Sequence, residues 1–547
     1  LNLASPEVSL PKQHTFQSVN SEIWLKQNDP DTWTLWLDRA QFSLNNEKWL
    51  LNDTALKLTK TLTGNRWQAH AADIDISYIR ALADQLSVIP ESLQDIFIDI
   101  NPRGHLKNAS LIMQQDIETE PTFTFVGELE GVSTAASDGI PALGNISGVI
   151  AASKEGGRVQ FNGQDMKLAF PEIYDRPFEF TQGKGQVDWF LRDHEINIVG
   201  NGLDFASEQV ESIKGGFDLV LPHHEMLDGA IELNLSMNNA NVLSHSYLIP
   251  RDVSSNLKSW LAGALLRGEV SNGQFYLYSD LADINAESQL ELYLKPSNVV
   301  LAYQPDWPSV EIFDGSLMIE NETVIGAIGV AQTLGGAMTD GFIVYKDDAL
   351  WVSSNVTGDA NEILNYFQDT PLRSVTGDVL NEWSLLGSHY STLKLWIPLE
   401  GADNVLADID AHIRSASLNM SDVGLSLTGL EGQLTYTSSK GLSSTSLNGA
   451  IWGQPLSAKI TPSESGQLTD IQFNGRIDSA ALKSWMDLDL LQPLTGTADA
   501  QGHFYIDTRD NGFTGLKLSS ELQGISLSLP KPYGLTATEK SQLDLSL

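Results

Sequence analysis

Few residues in this chain stand at spacings that catalysis or metal binding would need. Asp487 and Asp489 share one face if MDLDLLQP is extended, and a glycosidase needs two carboxylates at a set separation. An exposed loop is the simpler reading of that segment. His223 and His224 are adjacent, so on a strand they point to opposite faces and cannot easily share an ion; a solvated loop after Pro222 accounts for them. TLGGAMTDG from Thr333 has the glycines of a ligand loop, but it leads into a strand, so no helix N-terminus waits there for an anion, and turn chemistry explains it. Trp33 and Trp36, with Trp189, Trp351, Trp396 and Trp452, could offer aromatic platforms to sugars, although tryptophans more often fill cores. Nucleophile elbows, HExxH, phosphate loops, Rossmann fingerprints and EF-hand loops do not occur with their required spacing. The expectation is a protein that is not an enzyme and uses no cofactor and no metal.

Composition narrows the class further. At 547 residues, 41% hydrophobic and 19% charged, the chain has ample apolar material to fold, either as several domains or as one repeat array. Its 70 acidic residues against 33 Lys and Arg give a formal net charge of -37 with no basic run, which argues against nucleic acid and against docking on anionic head groups. Any lipid contact must therefore be apolar. With no cysteine, disulfides, thiolate nucleophiles, zinc ribbons and iron–sulfur clusters are excluded. No stretch approaches the roughly 18 to 20 apolar residues of a membrane span, the nearest being short runs such as IGAIGVA from Ile325. LNLASPEVSL lacks a leader's basic and apolar regions, and QLDLSL stops in mid-alternation, so the chain reads as an excised fragment. Seven Asn-x-Ser/Thr sequons, from Asn52 to Asn419, read as chance in an Asn- and Ser-rich chain.

The elements that would position any site are strands. Period-2 alternation runs through ADIDISYI from Ala72, EIWLKQ from Glu22, QFYLYSDL from Gln274, TLKLWIPL from Thr392 and KLSSELQGISLSL from Lys517, punctuated by Gly, Asn-Asn and Ser-Lys-Gly. This predicts antiparallel, meander-like β structure. Four segments break the rhythm with helical spacing and then return through a glycine to a strand: they start near Ile76, Asn241, Asn361 and Ser479, and their glycines are Gly104, Gly268, Gly387 and Gly496. A second recurrence relates FDGSLMIENETVIGAIGV from Phe313 to LEGQLTYTSSKGLSSTSLNGAI from Leu430. The expected units, each a multi-strand β unit closed by a helical cap that is short in the fourth, are 1–115, 116–280, 281–400 and 401–510, with 511–547 starting a further one.

An unusual number of strands carry apolar side chains on one face while few segments look able to cover it. Phe217, Leu219 and Leu221 share a face, as do Phe275 and Leu277, Leu317 and Ile319, Leu393, Leu395 and Ile397, Leu434 and Tyr436, and Phe504 and Ile506. In a sandwich these would meet a second sheet, in a single bent sheet they would line an open trough, and helices could also cover them. On the residues alone the sandwich stands ahead.

ISYIRALADQL and IPESLQDIFIDINPRGHLKNASLIM, WLAGALLRGEVSNGQFYLYSDL, LAYQPDWPSVEIFDGSLMIEN, LNGAIWGQPLSAKI and LSLPKPYGLTATEKSQLDL together resemble the YhdP family of AsmA-like proteins, related to TamB. The resemblance spans essentially the whole chain, and its most specific phrases are Tyr303 to Pro308 and Trp260 to Gly268. It implies an all-β fold with short helical insertions: an elongated repetitive antiparallel β-groove, a taco-like twisted sheet with an apolar interior. It also implies a periplasmic body of an inner-membrane-anchored protein in a Gram-negative bacterium, carrying phospholipid between inner and outer membrane with acyl chains against the fourteen residues above. If strands stack about 4.8 Å apart, some 25 to 30 of them would make a groove on the order of 120 to 140 Å long. Envelope protein partners are a further expectation. The alternative is an envelope scaffold or outer-membrane-protein assembly factor without lipid conduction. A third reading, a polysaccharide-acting enzyme on a β-helix, is disfavoured by a repeat of roughly 110 residues.

Overall fold

A computed structural model describes residues 2–4, 18–44, 47–78, 97–116, 120–137, 139–192, 194–222, 229–281, 288–376, 378–399, 405–463, 468–507, 514–530 and 532–546. Long strands dominate, commonly 11 to 16 residues, with short helices between them such as Ser255–Ala264, Asn361–Asp369 and Ser479–Met486. Most of the first repeat's helical stretch, residues 79–96, lies outside the described residues, as do His223 and His224. Among the described residues no helix is long and apolar enough to cross a membrane.

The chain divides into two compact units: residues 1–253 with 270–294, and residues 254–269 with 295–547. In the first, each strand from Ser18–Asp29 to Ala230–Asn241 pairs antiparallel with the next, except that Ala142–Gly144 and Ile146–Ser153 both pair with Gly156–Ala169. The second repeats this meander from Val310–Glu320 to Thr514–Ser520. Tight turns make the meander possible. Leu334-Gly335, Asp347-Asp348 and Trp452-Gly453 each join two strands with both residues at positive φ, the backbone that suits the twist of a two-residue hairpin. TLGGAM is thus a turn, as its residues suggest.

A regular alternation would put every second residue on one face from end to end, and the strands depart from that at one recurring point. Asn108 (φ 50°), Asp165 (φ 52°), Asp340 (φ 53°) and Ser415 (φ 51°) sit inside strands with left-handed backbone. Each shifts the phase of the pattern by one residue. In Arg103–Asp116 the inward residues are Leu106, then Ala109 and Leu111; in Leu406–Met420 they are Ile409, Ala411 and Ile413, then Ala416 and Leu418. The ladder shows matching irregularities between Lys107 and Ser110, Thr339 and Phe342, and Ile413 and Ala416. These are β-bulges, which bend a strand and re-aim its side chains; Asn and Asp tolerate the left-handed conformation better than bulky residues.

The four repeat glycines prove equivalent. Gly104, Gly268, Gly387 and Gly496 have φ of 124°, 138°, 137° and 109°. An added Cβ would meet Val132, Val299 and Ala416 Cα at 2.8, 2.6 and 2.8 Å in the first three, and Gly524 O at 2.1 Å in the fourth. Each strand therefore leaves its helical insertion through a residue pressed on the neighbouring backbone in a conformation open to glycine. Gly387→Ala should destabilise the second unit by about 1–3 kcal/mol through backbone strain and the clash at Ala416. A lower urea midpoint of tryptophan fluorescence checks this; an unchanged midpoint would contradict it.

Asp487 and Asp489 do not share a strand face. Asp487 ends the helix Ser479–Met486 with φ 44°, and Asp489 opens a short 3-10 turn, so the extended geometry that a carboxylate pair required is absent.

Candidate functional site

Following side chains from partner to partner across the ladder builds the site. In the first unit one row runs Leu25, Leu35, Leu56, Ala69, Leu111, Phe125, Ala152, Gly157, Trp189, Ile198, Leu219 and Ile231, twelve strands in unbroken register. At about 4.8 Å per strand it is roughly 50 Å long. No residue in it is polar. A second row carries Ile150, Val159, Val187, Gly200, Phe217 and Leu233. The opposite face of the same strands presents Arg158, Asp188, Val199, Asp218 and Glu232 in consecutive partnership.

Two burial regimes meet along these strands. On one side of the bulges, Leu106, Val132, Ile146, Met166, Phe180 and Leu203 are buried in one cluster with Ile76. Phe180 and Phe205 there have ring centroids 4.6 Å apart. On the other side the twelve-strand row is only half-buried from Leu35 to Ile231, and Leu25 is exposed. A sandwich would seal such a row under a second sheet; here it is apolar and accessible.

Glycines on this face let large rings lie against the backbone. A Cβ at Gly157 would fall 2.1 Å from the Trp189 indole, one at Gly200 2.2 Å from the Phe217 ring, and one at Gly502 2.0 Å from the Phe473 ring. The pairing of ring over glycine is a known means of protecting a bare strand backbone. Gly200→Val should evict Phe217 from the sheet surface, costing about 1–3 kcal/mol by overpacking, measurable as a lowered thermal midpoint.

The fourteen sequence-derived residues are distributed as follows. Phe217, Leu219 and Leu221 stand on neighbouring rows of the first unit, and Phe217 packs against its apolar cluster. Phe275 and Leu277 are half-buried on the face of Gly273, which lies between Met237 and Leu294. In the second unit Leu317 and Leu395 share the row Leu317, Gly326, Ile343, Val352, Leu395, Ala407, while Ile319 and Ile397 share the next. Leu393 and Tyr436 lie on a row through Ile409, Leu434 pairs with Ala411, Phe504 lies between Ile471 and Leu516, and Ile506 pairs with Thr469. Leu395, Ile397, Tyr436 and Ile506 are buried, and the other ten are half-buried. Register adds Leu35, Leu56, Leu111, Phe125 and Ile198, which no single strand's pattern marks.

The helix Asn361–Asp369 covers part of the second unit's inward face. Its Phe367 packs edge-on against Tyr436 with centroids 5.9 Å apart, and burial pushes the Tyr436 phenol above its usual range. Glu362 on the same helix accepts from His389 Nε2 at 3.3 Å with both side chains nearly enclosed, while His389 Nδ1 is 2.7 Å from Ser391 Oγ. Among the described residues no group of three or more His, Cys, Asp or Glu is placed to hold a metal.

Trp33 and Trp36 do not form one platform: three residues apart on the strand Thr32–Leu44, they fall on opposite faces. Trp33 partners Leu58, and through it Trp67, whereas Trp36 partners Trp24.

A family model described as YhdP protein matches residues 2–547. The intermembrane phospholipid transporter YhdP of Escherichia coli (strain K12) is 24% identical over 477 residues, 84% of this chain but 36% of the relative, so the chain spans about a third of that protein's length. No solved structure matches the chain.

Proposed function

Because the chain belongs to the YhdP family, we propose that it is a segment of a protein conducting phospholipid between the inner and outer membranes of a Gram-negative envelope, with acyl chains held on the half-buried apolar face described above. The E. coli relative's name speaks of intermembrane phospholipid transport. The observation that carries the reading is the twelve-strand row, apolar throughout and only half-buried among the described residues.

The physics is simple partitioning. Each methylene removed from water gains about 0.8 kcal/mol, so acyl chains lie on the row while the charged head group stays in solvent. Successive rungs are all apolar, so no polar side chain interrupts the path and a chain slides without a deep trap. No chemical step is needed. Direction comes from what loads and unloads the two ends. The net charge of -37 keeps an apolar-lined sheet apart from its copies. In this reading the body is periplasmic and its anchoring lies in other parts of the protein.

Native mass spectrometry and lipid extraction of the chain purified from bacteria test it. Bound phospholipid is expected. A lipid-free protein that also fails to take up phospholipid from vesicles would overturn the reading and favour an envelope scaffold.

A further inference from the structure

On the face opposite the apolar row, the first hairpins present Trp24, Trp36, Ala55, His70 and Ser110 as consecutive cross-strand partners. Trp24 and Trp36 are 54% and 42% exposed, high for indoles with a partner beside them. Ala55 is small, so it leaves a slot between Trp36 and His70, which stand two strand spacings, about 9.6 Å, apart. Asp38 and Asp53 border the slot, which belongs to a solvent-open depression of about 610 Å³. His70 Nδ1 lies 3.0 Å from Ser110 Oγ, which fixes the plane of the imidazole and leaves Nε2 for a ligand. Arg39 Nε approaches Asp38 Oδ2 at 3.4 Å and orients that carboxylate.

We propose that this slot binds a neutral saccharide, one pyranose ring lying between Trp36 and His70 with its hydroxyls donating to Asp38 and Asp53. A pyranose is flat on both faces, its C–H groups stack on aromatic rings, and its rim carries several hydroxyl donors; the slot offers aromatic walls and carboxylate acceptors in that arrangement. Two carboxylates turn away phosphate, sulfate and uronate ligands, while their cost of burial opposes a purely apolar occupant. The depression opens to solvent, so a pyranose seated in it can be one residue of an oligosaccharide that continues outward. Bound on the face away from the lipid path, a glycan would hold the sheet in place without obstructing the acyl-chain row.

Tryptophan fluorescence and saturation-transfer difference NMR on the whole chain test this, with maltotriose and the β-1,4-linked N-acetylglucosamine trimer as probes and tetramethylammonium as a competing small cation. At least one sugar should bind with a millimolar or tighter Kd, and Trp36→Ala should weaken it at least tenfold, as loss of a central aromatic anchor does. Asp53→Asn should weaken it while leaving the circular dichroism spectrum unchanged, which keeps the test meaningful if Trp36→Ala disturbs the strand. Trp351→Ala, an exposed indole in the other unit, should leave binding unaltered, and none of these variants should lose phospholipid, so failure here is distinct from failure of the lipid reading. Absence of sugar binding up to about 10 mM, binding of tetramethylammonium alone, or sugar binding that survives Trp36→Ala would each overturn the proposal.

Discussion

Leu317→Asp and Phe275→Asp, separately and together, should strip co-purified phospholipid from the chain by at least tenfold while leaving it folded. Leu317 stands on a row whose next members are Gly326, Ile343, Val352 and Leu395, none able to neutralise a carboxylate. An acyl chain passing it would have to strip water from the new charge, a cost of several kcal/mol that outweighs the gain from the few methylenes at that rung. Both residues are half-buried, so water reaches the new carboxylate in the empty protein and the fold tolerates it. Met318→Asp supplies the contrast: one residue along, on the opposite face and 43% exposed, it should leave lipid content unchanged. A folded Leu317/Phe275 double variant with undiminished lipid would sink the reading, as would an equal loss from Met318→Asp.

The second large effect is on stability. His389→Ala should destabilise the second unit by about 3–5 kcal/mol, because it leaves the Glu362 carboxylate enclosed without its imidazole partner and with the Asp359 N–H as its remaining donor. Glu362 has little room to turn away: a Cβ at Gly358 would lie 2.1 Å from Glu362 Oε2 and one at Gly336 2.7 Å from it, so the side chain fills a space that three glycines, Gly335 included, leave for it. The expected reading is a urea midpoint well below the wild type, with the helix Asn361–Asp369 losing amide-exchange protection first. His389→Ala combined with Glu362→Gln should recover part of the loss, since the orphaned charge is gone. No recovery in the double variant would mean that packing of the imidazole, not the charge, holds the helix down.

Much of the architecture is legible in short windows. Alternation identified TLKLWIPL and QFYLYSDL as strands, and they lie in Trp383–Pro398 and Leu265–Asp280. The recurrence of Gly104, Gly268, Gly387 and Gly496 was visible as spacing, and their common backbone conformation gives the physical reason. Short windows fail where a local pattern meets a break, which is why the extended reading of MDLDLL stood second to a loop. Asp487 and Asp489 share a face only if MDLDLL stays extended, and Asp487 turns left-handed at a helix end instead. The bulges were equally hidden, since Asn108, Asp165 and Asp340 in a strand-like run look like turn residues and not like phase shifts within one continuous strand.

The sequence by itself determined the all-β class and the family, because these rest on alternation between neighbours a few residues apart and on specific phrases spread along the chain. Only the tertiary structure decided what covers the apolar faces. Whether Leu35, Trp189 and Leu219 belong to one row depends on register accumulated over many hairpins, where a slip of one residue anywhere would send half of them to the other side. Whether that row is sealed depends on whether a second sheet lies over it, and alternation is the same in a sandwich and in an open sheet. The distinction lies in long-range packing: the row stays half-open in the first unit, while the helix Asn361–Asp369 closes over Tyr436 in the second.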